Sequence, residues 1–234
     1  MDRPKLEELL RVEDPAWPTL RGWLAGAKNP TALWTTPRSR GEAAILALEV
    51  RADTTLGAMA LYTAGVGVDS GWIRLLGAGG DPLGDGLVQW NGLGGGARAL
   101  PGALIVAFDV LGGVFAVNGG AFGGAPGTVF YRSPRTGRWA HTGLGYTHFI
   151  QWCLMADLGG FYKDLRWKGW EAEVKATAAD QGLAVYPYLW DQPELSGAGA
   201  LTKRRRQPVP MRVLWDLVTD AATPGEPSEV GEAK

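Results

Sequence analysis

Apolar positions along this chain change their spacing several times, and each change marks a new kind of element. Over roughly the first fifty residues they recur every three or four positions, as on amphipathic helices. Residues 5–12 predict a short helix. Asp14 stands where it can cap a second, with Pro15 in a first turn that tolerates proline. That second helix places Trp17, Leu20, Trp23 and Leu24 on one face and ends at Asn29-Pro30. A third is predicted from about Arg40 to Leu48, with Val50 opening a strand.

From Gly57 the runs shorten and glycine separates them, which predicts a three-strand meander over residues 58–62, 66–69 and 72–76. Gly, Pro and Asp clusters between Gly77 and Gly102 predict a long surface loop, in which residues 87–91 can pack back on the sheet. Residues 104–109, 112–120 and 128–131 read as further short strands and turns, after which residues 146–155 return to helical spacing. A helix of mixed charge follows over residues 166–174, then a strand over 183–190 that Pro187 interrupts, then a last helix over 209–221. The stretch 223–234 has almost no bulky apolar residue and is predicted to be disordered. The fold class is therefore α+β: a central antiparallel meandering sheet flanked by helices, with a helical N-terminal region and a C-terminal helix. A single domain is expected over residues 1–222.

Composition narrows the function classes. The chain has 234 residues, 46% of them hydrophobic and 20% charged, and its apolar runs are too short and too often broken by glycine to predict a membrane span. The first residues are acidic early and lack a signal-like apolar core, and Cys153 is the one cysteine, so a cytoplasmic location is expected and an intrachain disulfide is excluded. With 23 Lys plus Arg against 24 Asp plus Glu there is no global field for nucleic acid. The run Lys203-Arg204-Arg205-Arg206 is the best local basic patch. It lacks the neighbouring stacking aromatics of a nucleic-acid module and reads as a solvated loop.

Catalytic parts are sparse. Gly92-Leu93-Gly94-Gly95-Gly96-Ala97 has a dinucleotide-like spacing but does not follow a hydrophobic strand, and residues 119–124 lack the Lys and Ser/Thr of a phosphate loop. No serine lies in a nucleophile elbow, and Cys153 is five residues from His148 on one predicted helix, a spacing that turns the two apart. His141 and His148 form no metal-ligand pair, and no cofactor or metal is expected. The carboxylates near the central elements are Asp109, Asp157, Asp164, Glu171 and Glu173. Asp109 ends an apolar strand, where burial would raise its pKa or its side chain would cap the following turn.

Aromatic residues are more suggestive, since there are 11 tryptophans. Most belong in a core. Tyr186-Pro187-Tyr188-Leu189-Trp190-Asp191 gathers three aromatics around a proline that blocks sheet pairing, and these rings either form a recognition patch or cover the core edge. Tyr186, Tyr188, Trp190 and Asp191, with Trp90 in the preceding loop, are the candidate partner-binding residues.

Residues 13–18, 71–77, 113–120 and 186–190, taken together, resemble an uncharacterised bacterial family of unknown function over roughly Leu6 to Val218. The centre, from the Gly-Val-Phe-Ala-Val-Asn-Gly-Gly hairpin through Trp139 to residues 149–152, is also similar to the SUKH superfamily, many of whose members are immunity proteins that bind secreted toxins or act as regulatory scaffolds. The resemblances imply an α+β protein and, through the second, a toxin or regulatory protein as partner. A non-enzymatic protein-binding module is the leading expectation. The alternative is a hydrolase or transferase that uses carboxylates in a glycine-lined cleft.

Overall fold

The computed structural model describes residues 4–95, 100–191 and 198–221, so the predicted disordered tail lies outside the described residues. The chain opens with α1 (Leu6–Leu10) and α2 (Trp17–Ala25). The second helix is entered through Ala16, with Pro18 in its first turn, so Asp14 does not cap it. Next come β1 (Thr31–Thr35), α3 (Arg38–Leu48) and α4 (Thr55–Tyr62). Helix α4 replaces the strand expected at residues 58–62. Its residues from Gly57 to Leu61 are all buried, and a wholly apolar run carries no period that separates strand from buried helix. The capping donor decided the matter: Gly57 N donates to the Thr54 hydroxyl at 2.9 Å and starts the helical turn. Val50 opens no strand, because Glu49 turns left-handed at φ 54° and the Val50 amide folds back onto the carbonyl of Ile45.

The sheet is a seven-stranded antiparallel meander in chain order. After β1 it continues through β2 (Thr63–Val68), β3 (Ile73–Leu76), β4 (Ala103–Asp109), β5 (Val114–Asn118), β6 (Thr128–Arg132) and β7 (Trp139–Gly145). Neither β1 nor β7 is marked by strong alternation, since both are edge strands with mostly exposed side chains. Paired residues share a face of a sheet. The register Gly67, Arg74, Phe108, Val114, Arg132 therefore runs across one face, and Leu75, Ala107, Phe115, Tyr131 across the other.

Each face has its own cover. Helix α6 (Tyr146–Met155) lays Phe149 on Phe115 at 4.8 Å, beside α4 and α2. The opposite face is covered by α5 (Leu87–Trp90), the ribbon formed by β8 (Gln181–Tyr186) and β9 (Arg205–Pro210), and α10 (Met211–Ala221). Trp90 packs on Phe108 at 4.2 Å and meets Trp215 of α10 edge-on at 6.4 Å. The stretch expected as a surface loop is thus partly interior among its described residues: Ala78, Leu83, Leu87, Trp90 and Asn91 are buried. Asn91 makes it cohere by exchanging hydrogen bonds with the backbone of Ile105, at 2.9 and 2.7 Å. The short helices α7 (Leu158–Phe161), α8 (Trp170–Ala176) and α9 (Ala198–Thr202) complete the described chain.

Glycine sets how closely α3 and α4 approach. A Cβ on Gly41 would lie 2.0 Å from the Leu61 carbonyl oxygen, an impossible contact with backbone. Gly22 on α2 has open space around it. Gly41→Ala should lower the stability measured by urea unfolding by about 1–3 kcal/mol as the two helices are pushed apart. Gly22→Ala should raise it by about 0.5–1 kcal/mol through helix propensity alone.

Candidate functional site

The β8–β9 ribbon is the element that carries the candidate residues, and its two ends differ in character. Its register pairs Gln181 with Pro210 at the root and Tyr186 with Arg205 at the tip. At the tip Tyr186 is 64% exposed. Its ring lies 6.0 Å from that of Tyr188, which stacks on Trp190 at 4.5 Å and 7°. Tyr188 and Trp190 are half-buried, Leu189 between them is buried, and Asp191 is exposed. The aromatics therefore both cover a core edge and present a surface.

The basic run does not form the solvated loop expected of it: Lys203 and Arg204 lie in the turn before β9, Arg205 and Arg206 open the strand, and Arg204 and Arg206 turn inward while the other two do not. Arg204 turns inward and donates from Nη1 to the carbonyls of Pro187 and Tyr188, at 2.8 and 3.1 Å, which fixes the tip. Arg206 donates to Glu173 at 2.9 Å and to the Leu201 carbonyl at 2.6 Å, with its guanidinium 4.4 Å from the Trp167 ring. Lys203 and Arg205 face solvent.

Trp90 belongs to the root instead. It is 3% exposed, with the Arg212 guanidinium 3.7 Å from its ring. Arg212 in turn pairs with Asp85 at 2.9 Å. These residues, with Asp180, Arg74 and Met211, line a cavity of about 240 Å³ beneath the ribbon. The structure thus separates Trp90 from the 186–191 aromatics by the length of the ribbon. The root is tied to the β4–β5 turn, since Leu183 N donates to the Val110 carbonyl at 2.7 Å, and to the start of α10, since Met211 N donates to the Asp180 carbonyl at 2.9 Å.

Asp109 is fully buried, and burial raises its pKa. Its Oδ1 accepts from the amides of Leu111 and Gly113, at 2.9 and 2.8 Å, and its Oδ2 accepts from the Tyr131 hydroxyl at 2.7 Å. Both sequence expectations for Asp109 hold together: it caps the turn and it is desolvated. Desolvation likewise lifts the Tyr131 hydroxyl and the Cys153 thiol well above their ordinary values, and His148 is exposed while Cys153 is not. Asp157 caps α7 through the Gly160 amide, Glu173 holds Arg206 and Trp167, and Asp164 and Glu171 are exposed. Among the described residues no three His, Cys, Asp or Glu side chains gather as metal ligands, and no helix is long and apolar enough to cross a membrane.

Sequence reasoning passed over Arg74 and Trp34, which the structure places together under the sheet's ribbon-covered face. A signal for Arg74 was present: it is the single charge in the inward-pointing run 72–76.

A family model described as "Protein of unknown function DUF2625" matches residues 6–214. The chain is 34% identical to an uncharacterized protein of Escherichia coli, YbfG, over 91% of this chain and 94% of that one. It is 32% identical to an uncharacterized protein of Haemophilus influenzae over 87% of this chain and 89% of that one. No solved structure matches.

The Asp109 network has a pH signature. The folded-state pKa of this carboxyl lies above its ordinary value of 3.8, so the folded state holds the proton more tightly, and the group's contribution to stability declines as pH rises from that value. The phenol of Tyr131 opposes this loss, because its hydrogen bond is stronger to the ionised carboxylate. Tyr131→Phe should therefore cost about 1–3 kcal/mol, more at pH 7 than at pH 4, in urea unfolding curves taken at both. An equal cost at the two pH values would show that Asp109 does not change its protonation state between them in the folded protein.

Proposed function

The chain belongs to the DUF2625 family of proteins of unknown function, and on the geometry of its ribbon we propose that it is a non-enzymatic protein-binding module whose ribbon tip docks an acidic protein surface. The observation that carries this reading is Tyr186, 64% exposed and paired in register with the exposed Arg205. Its ring stands on a base that Leu189 buries and Arg204 ties down. A rigid exposed tyrosine loses little freedom on binding, and the neighbouring Lys203 and Arg205 attract carboxylates. The half-buried stack of Tyr188 on Trp190 extends the apolar part of the surface.

Engagement of Asp109, Asp157 and Glu173 in capping and ion pairing supports binding over the hydrolase alternative. Asp109 is sealed from solvent, Glu173 is held by Arg206, and Asp85 by Arg212.

A photo-crosslinking amino acid at position 186, introduced in cells of the source organism, tests this reading. It should yield one discrete adduct with a different polypeptide, and the Lys203→Glu, Arg205→Glu double variant should abolish that adduct. Both cations are exposed, so the double variant should melt within a few degrees of the wild type. No adduct, an adduct only with a second copy of this chain, or an adduct indifferent to charge reversal would overturn the proposal.

A further inference from the structure

Arg74 sits at an inward position of β3, between Gly67 and Phe108, and is 2% exposed. Its Nε and Nη1 have no hydrogen-bond partner among the described residues. Its Nη2 reaches only the Ala178 carbonyl, at 3.5 Å, beyond a normal hydrogen bond. Desolvation pulls its pKa down to about 10, with the charges of Asp109 and Asp180 opposing the shift without contacting it. A buried guanidinium with most of its donors idle is a costly thing to keep, since each unmet donor forfeits the hydrogen bonds it had in water. Arg132 on the same face is better held, because its Nη2 donates to the Val218 carbonyl of α10 at 2.9 Å and only its Nη1 lacks a partner among the described residues.

Arg74 is the shared wall of two cavities. The smaller one beneath the ribbon root balances Arg74 and Arg212 against Asp85 and Asp180. The larger, about 430 Å³, has Arg74 and Lys175 on its wall and no carboxylate among its described lining residues. The rest of that wall is mainly apolar, with Ala32, Trp34, Pro82 and Val174. Trp34 lies against a strip of β2 that must be glycine: a Cβ on Gly65 or Gly67 would stand 3.5 or 3.0 Å from its ring, and one on Gly65 would also strike the Leu75 carbonyl at 2.6 Å. The indole is half-buried there.

We infer that this larger cavity binds a small planar organic carboxylate, with its carboxylate on the fork of Arg74 and its apolar body against Trp34. An oxyanion replaces the long contact to Ala178 with a charge-assisted hydrogen bond from Nη2, and a small turn of the guanidinium toward the cavity brings a second, now idle, donor onto it. Lys175, exposed at the wall, adds attraction for the same charge. The cavity volume suits a ligand of one ring with short substituents. Nothing in this inference depends on a protein docking at the ribbon tip.

Calorimetric titration of the full chain with benzoate, benzamide and inorganic phosphate tests it. Benzoate should bind with half-saturation near or below about 1 mM, while benzamide, its neutral isostere, and phosphate, which has no apolar body, should not. Arg74→Met and Trp34→Ala should each weaken benzoate binding by about tenfold or more. Arg74→Met removes an unmatched buried charge, so its Tm should equal or exceed that of the wild type, which separates lost binding from lost folding. Should that variant unfold instead, Trp34→Ala and the benzamide comparison still decide the matter. Absence of benzoate binding at about 10 mM, equal binding of benzamide, binding of phosphate alone, or unchanged binding in the folded variants would overturn the inference.

Discussion

Asp109 holds the turn from which one whole layer of this molecule hangs. By accepting the amides of Leu111 and Gly113 on one oxygen, its side chain closes the connection between β4 and β5 in a fixed shape. The carbonyl of Val110, inside that turn, then receives the first hydrogen bond of the ribbon root from Leu183. Gly112, at φ 88°, lies so close to Leu214 that a Cβ would come within 2.9 Å of it, and so seats α10. The Tyr131 hydroxyl on the second oxygen keeps the buried carboxyl from being left short of donors.

That arrangement explains the uneven legibility of the sequence. The central strands β4, β5 and β6 and the helix α6 were readable because their burial is regular and their borders are marked by glycine. Helix α4 was not, since its wholly buried apolar residues have no outward face to reveal the period, and its one local marker was the Thr54 cap. Edge strands escaped for the opposite reason: β1 and β7 bury too little for alternation to show. The 77–102 stretch looked like a surface loop because its glycines dominate its composition, yet those glycines let the backbone pack tightly enough to carry Leu87 and Trp90 inside. Gly86 illustrates this, with a Cβ position only 2.3 Å from the amide of Gly79.

The candidate site was legible in its aromatics and illegible in its charges. Tyr186 could be read from Pro187 beside it, which halts sheet pairing and leaves the ring outside. Which of Arg205 and Arg206 would point inward depended on a strand that the basic composition concealed. Arg74 was harder still, because a lone arginine in an apolar strand looks the same in sequence whether its head reaches solvent or not. Its meaning came from tertiary facts: Phe108 beside it, Trp34 across the glycines, and no carboxylate within ion-pairing reach among the described residues.

The ribbon also gives the run at 203–206 a dependence on parity. Within β9 neighbouring side chains leave by opposite faces, so its first two cations have different jobs: Arg205 meets solvent and Arg206 is held by Glu173, while Lys203 and Arg204 precede the strand. A one-residue insertion or deletion ahead of β9 would keep the charge, the composition and the basic appearance of this segment. It would nonetheless exchange the roles of the two strand cations, turning Arg206 outward and driving Arg205 toward Glu173. Two insertions would restore the pattern. Relatives with the same count of basic residues can therefore differ in the surface they present, according to whether the connection before the strand gained an odd or an even number of residues.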